Sequence, residues 1–190
     1  MLVKSHFITE CTSSNNPHWI HRGLVCENAF DGNWDTNVGW GLPDNKPPGH
    51  AQYQVEEAET INTVIFRRNP GGVSDFTLSV EVNGQILPIN SPSTNDEKAK
   101  FASSGRIRLS PDFDEQWVRI EFPVVMGATG IRIMNHVGGT VTEIWLLNLE
   151  VDWSVHVKDI IAALIPNKIN PQDQHTGEPI GKYSMCQHLL

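Results

Sequence analysis

The segment ENAFDGNWDTNVGW, residues 27–40, sets two Asp, three Asn and a Thr around one Phe and two Trp. It is too polar for a core strand and unusually aromatic for a solvated turn. Two readings compete. In one, Asp31 and Asn33 bond their own backbone in an Asx-turn network. In the other, the loop curls around a cation, since calcium takes about six to eight oxygens, many of them backbone carbonyls. Asp31, Asn33 and Asp35 open like an EF-hand loop, but Thr36 stands where that loop needs Gly and Leu42 where its bidentate Glu belongs. An EF-hand is excluded.

Outward from this loop the chain reads as short β segments. AQYQVE (51–56), INTVIFRRN (61–69), RIRLS (106–110), EQWVRIEF (115–122), GIRIMN (130–135) and TVTEIWLLNLEV (140–151) alternate or are rich in β-branched and aromatic residues. FTLSVEVNGQILPI (76–89) places Phe76, Leu78, Val80 and Val82 on one face and turns at Asn83-Gly84, a hairpin signal. About seven strands parted by Gly, Pro, Asn and Asp predict an all-β, antiparallel sandwich or jelly roll. One helix is predicted, over 154–165, with Val157, Ile160, Ile161 and Leu164 at helical spacing, Ser154 as cap and Pro166 as stop. The sandwich is expected over 1–152 and a C-terminal extension over 153–190, irregular after the helix.

Charge narrows the function. Lys and Arg number 14 against 22 Asp and Glu, a net charge of −8. That argues against a nucleic-acid partner and against attraction to an anionic membrane. No run is long and apolar enough for a membrane span, and the N-terminus lacks the apolar block of a secretory signal, so no signal peptide is expected. Three cysteines, Cys11, Cys26 and Cys186, admit one disulfide with a thiol left over, or three thiols. His18 and His21, three apart between Pro17 and Gly23, make a weak zinc pair without further ligands. No nucleophile elbow, Walker loop or paired-carboxylate motif is present, so the chain is not expected to be an enzyme.

ENAFDGNWDTNVGW resembles the signature of discoidin domains, the coagulation-factor type C domains, to which the family 32 carbohydrate-binding modules are related. INTVIFRRN, SDFTLSVEVNGQ, WVRIEFPVVMGATGIRI and VTEIWLLNLEV follow in the order such domains show, so the similarity spans roughly 5–152. The resemblance implies a galactose-binding-like jelly roll of about eight strands, with a structural calcium. Its ligands, carried over, are Asn28, Asp31, Asn33, Thr36 and Glu143. Glu143 also stands out alone: simple alternation puts it on a face with Val141, Trp145 and Leu147, where a carboxylate is costly unless paired or metal-bound.

In such domains ligands sit on loops at one end. Sugar recognition needs an aromatic face and planar polar groups. Trp34, His50, Arg67, Arg68, Asn69, Asn135 and His136 are the candidates, with Trp40 expected in the core beneath. Adjacent strand residues point oppositely, so only one of Arg67 and Arg68 should face a given ligand. The function expected is non-catalytic, lectin-like carbohydrate binding, with a carbohydrate or glycoprotein partner and an extracellular or cell-surface setting implied by the resemblance. The alternatives are a protein-interaction or adhesion module, self-associating or binding a partner through residues 153–190, and a phospholipid-binding module, which the charge opposes.

Overall fold

The computed structural model describes residues 2–14, 24–33, 39–42, 48–69 and 72–150. The predicted helix at 154–165, the rest of the extension, Trp34, Thr36, His18, His21 and Cys186 lie outside them.

Eleven strands are described: β1 (Leu2–His6), β2 (Ile8–Ser13), β3 (Trp40–Leu42), β4 (Gly49–Arg68), β5 (Asp75–Val82), β6 (Gln85–Pro88), β7 (Ser93–Thr94), β8 (Lys100–Phe101), β9 (Arg106–Arg108), β10 (Trp117–Asn135) and β11 (Gly139–Glu150). Every ladder is antiparallel. The all-β jelly-roll expectation is met.

Two long strands organise it. The first limb of β4 pairs with β2 and with the end of β10, where Ile131 faces Tyr53 and Ile133 faces Ala51. Its second limb pairs with β11 and with the start of β10, where Val118 faces Phe66 and Ile120 faces Val64. Between these limbs the β4–β10 register shifts three times, between Glu121 and Gly130. Such bulges bend a strand and strengthen its twist, so both chains cross from one layer of the sandwich to the other. The segments 51–56 and 61–69, expected as separate strands, are therefore one. In the polar EEAET between them, Glu59 keeps a β10 partner, Ala128, and the register jumps from there to Gln54.

The two layers close on one core. Tyr53, Phe76, Leu78, Val80, Ile131 and Ile133 from one meet Val64, Phe66, Val118, Ile120, Ile144 and Leu146 from the other. Phe66 and Phe76 join them edge to face, with ring centroids 5.3 Å apart. The β5–β6 hairpin turns where expected: Asn83 and Gly84 hold φ of 51° and 73°, the left-handed values an Asn-Gly turn supplies at low cost. Trp40 is core, 2% exposed.

The sequence reading missed β1 and β2. Both are short and mix polar with apolar residues, so neither carries a strong period. Cys11 of β2 is disulfide-bonded to Cys26, in the 3-10 turn Cys26–Ala29.

Candidate functional site at one end of the sandwich

Because β4 folds back on itself, its two ends return to the same end of the molecule. Gly49 pairs with Asn135 at the end of β10, while Asn69, just past β4, donates from its backbone to the Thr140 carbonyl of β11 at 3.2 Å. The Val73 N–H reaches the Gly138 carbonyl (2.9 Å), and the His136 N–H reaches the Asp75 carbonyl (2.8 Å). Thus His50, Arg67, Arg68, Asn69, Asn135 and His136, far apart in sequence, gather at one rim.

Their roles divide. Arg68 turns inward and is 2% exposed. It donates to the carbonyls of Gly72, Phe113 and Glu115, and its guanidinium lies 4.8 Å from the centre of the Phe113 ring. It ties the loop after β4 to the loop before β10, so the structure takes Arg68 out of the ligand set. Asn135 is also fully buried. Its Nδ2 donates to the Gly138 carbonyl (2.8 Å) and its Oδ1 accepts from Val137 and Gly138, so it pins its own turn. Asn69 likewise holds the loop by its backbone, accepting from the Gly72 N–H at 3.0 Å.

Arg67 points the other way. Its Nε and Nη2 both donate to Gln116 Oε1, at 3.1 and 2.8 Å, which fixes the plane of the guanidinium. Gln116 was not singled out in the sequence; only the β4–β10 register brings it there. Trp117, also not singled out, lies directly across from Arg67 and stacks on Trp145 at 4.9 Å.

The two histidines are half-buried. His136 Nε2 shares a hydrogen bond with Thr77 Oγ1 (2.8 Å). The His50 N–H donates to Ser14 Oγ (2.7 Å). Burial pushes both imidazoles below their ordinary pKa, assisted by Arg132 at His50 and by Arg106 at His136.

The loop quoted at the outset is partly described. Asp31 is exposed, and its Oδ1 accepts from the Asn33 N–H at 2.7 Å, the Asx turn anticipated above. Asn28 sits in the 3-10 turn, which packs on β11. Glu143 of β11 is 2% exposed. A register slip between Val141 and Glu143 corrects the expected shared face: Val141 joins Ile144 and Leu146 in the core, while Glu143 keeps step with Trp145 and Leu147. The Tyr53 hydroxyl is buried and makes no hydrogen bond among the described residues; burial raises its pKa, helped by the charges of Glu143 and Glu27. Cys11, Cys26 and Glu27 also lie close together, but the two sulfurs are already joined.

No protein-family model and no curated protein matches the chain. Solved structures do. A pectin-binding carbohydrate-binding module is 16% identical, covering 77% of this chain and 94% of that one, with a TM-score of 0.56. The family 32 module of AlyQ, solved with 4,5-unsaturated mannuronic acid, is 20% identical over 77% of this chain and 99% of that one, TM-score 0.53. A chitosan-binding module from a Paenibacillus sp. IK-5 chitosanase/glucanase is 16% identical over 75% and 99%, TM-score 0.54. The fold is the jelly roll of these modules. The rim assembled by β4, β10 and β11 is thus one end of a jelly-roll sandwich like theirs.

Proposed function

We propose that this discoidin-type chain is a non-catalytic carbohydrate-binding module that holds its ligand on the rim around Arg67, His50 and His136. The observation that carries the reading is the fixed Arg67 guanidinium. Its fork on Gln116 holds the guanidinium in one plane, and a polar group ordered in advance meets sugar hydroxyls at low entropic cost. The chain's solved neighbours are carbohydrate-binding modules. Trp34, beyond the described residues, is the proposed stacking aromatic.

A structural calcium belongs to this proposal. The residues fit in kind. Asp31 and Asn33 supply exposed oxygens, the 3-10 turn supplies carbonyls beside Asn28, and Glu143 is a buried carboxylate near the orphaned Tyr53 hydroxyl. Thr36 completes the proposed set. Calcium would fix the loop rather than touch the sugar.

Thermal melts across a sugar panel test the reading, because a ligand that binds the native state must stabilise it. A sugar-specific rise lost in Arg67→Ala supports it. No rise with any neutral or acidic sugar, in the presence of calcium, overturns it.

A further inference from the structure

The outer face of the layer built by β2, β4, β10, β5 and β9 runs into the same rim, and its charge is unlike that of the rest of the chain. The registers define its rows. Arg106 of β9 faces Thr77 of β5, which faces Met134 of β10, which faces His50 of β4. The next row carries Ser79, Arg132 and Gln52. Toward the rim, Arg108 faces Asp75, and Lys100 of β8 faces Arg108. Rows on one face repeat about every 7 Å along a strand, and neighbouring strands lie about 4.8 Å apart. This is a terrace the size of a few sugar rings.

Four cations, Arg106, Arg108, Arg132 and Lys100, share it with three carboxylates, Asp75, Glu81 and Glu10, the last in one row with Glu81 through Gln54 and Gly130. Asp75 is divided between two guanidiniums: Arg106 reaches its two oxygens at 2.7 and 2.9 Å and Arg108 reaches Oδ2 at 2.9 Å. Glu81 is held by Gln52 Nε2. Arg132 anchors its Nε and Nη2 on Gln52 Oε1, at 3.1 and 2.6 Å, and its Nη1 makes no hydrogen bond among the described residues. One positive charge remains in excess there, on a chain whose net charge is −8. Both rim histidines register that field from the arginines beside them.

We infer that this terrace binds the carboxylates of an acidic, uronate-containing glycan, extending the rim site along the sheet. The inference rests on the carbohydrate-binding reading above. Guanidiniums fixed in a plane match a carboxylate through paired N–H donors, and an immobile fork spends little entropy in doing so. A neutral glycan would use none of the excess charge. The face is polar, with Met134 as the one large apolar side chain on these rows among the described residues, which suits an extended polar chain rather than a folded protein surface.

The test is affinity electrophoresis and calorimetry of the full chain with oligogalacturonate, neutral galactan and a uronate-free sulfated galactan. The expected result is uronate binding that weakens at least ten-fold in Arg132→Gln and in Arg106→Gln, and that falls as salt screens the charges. Met134→Glu plants a carboxylate mid-terrace without removing any hydrogen bond, and should abolish uronate binding even if the Arg106 variant fails to fold. Neutral binding alone overturns the terrace and leaves the rim reading standing. Uronate binding untouched by the Arg132 and Met134 variants places the ligand elsewhere and overturns it too. Arginine-dependent binding of only the sulfated glycan overturns the carboxylate assignment. No binding to any glycan overturns both readings.

Discussion

Glu143 and Arg67 stand directly opposite each other across the β11–β4 ladder, and Arg67 in turn stands opposite Trp117 on β10. One row across three strands thus joins the carboxylate proposed for calcium, the guanidinium proposed for sugar and an aromatic. Loop order and ligand contact are one side chain apart.

Arg67→Ala should cut glycan affinity at least ten-fold, about 1.4 kcal/mol, with a stability cost of only about 1 kcal/mol for the bonds to Gln116. Arg68→Ala should do the reverse. It leaves the partly buried carbonyls of Gly72, Phe113 and Glu115 without their donor, at about 1 kcal/mol each, and should lower the denaturant midpoint by more than Arg67→Ala. Equal stability losses in the two variants would contradict the opposed orientations of these neighbours.

Calcium at 100-fold over its dissociation constant should add about 2.7 kcal/mol, a rise of several degrees in Tm for a domain of this size. Asp31→Ala and Glu143→Gln should each abolish the rise. Identical melts in calcium and in chelator would leave residues 27–33 an ordinary Asx turn.

Reduction of Cys11–Cys26, or the paired replacement of both by Ser, opens a loop with a sequence separation of 15. The loop-entropy estimate is about 3 kcal/mol. Urea unfolding with and without reductant measures it; an unchanged midpoint would show that β2 and the 3-10 turn are held without the bridge.

Stability should fall in two stages on acidification. His50 and His136 sit below the ordinary value of 6.5 in the folded chain. The unfolded imidazoles take up protons first, so their contribution is present above about pH 6.5 and lost as pH falls through the folded values. Burial alone would raise Asp75 and Asp96, but Arg106 and Arg108 outweigh it at Asp75, and bonds from Ser110 and Lys98 outweigh it at Asp96, leaving both below 3.8. Their contribution is lost as pH falls below about 3.8. Urea titrations from pH 7.5 to 3 resolve the stages, and His136→Gln should flatten part of the first.

Several features were legible from residues alone. Period-two alternation marked most of the core strands, Asn83-Gly84 marked its hairpin, and Trp40 was assigned to the core. These are local signals: alternation follows from the pleat, and a left-handed turn follows from which residues tolerate positive φ. The rim residues were recognised as a set through a resemblance in their order along the chain.

What only the tertiary structure decided is non-local. That 51–56 and 61–69 form one strand crossing two layers depends on a ladder with β10, not on the polar EEAET itself. Which of Arg67 and Arg68 enters the interior depends on register, since a one-residue shift exchanges the faces. The slip after Val141 parted Val141 from Glu143, which simple counting had set on one face. Gln116, Arg106 and Arg132 acquire meaning only through partners about 30 to 80 residues distant. A sequence states which side chains alternate; the pairing of distant strands determines what each one faces.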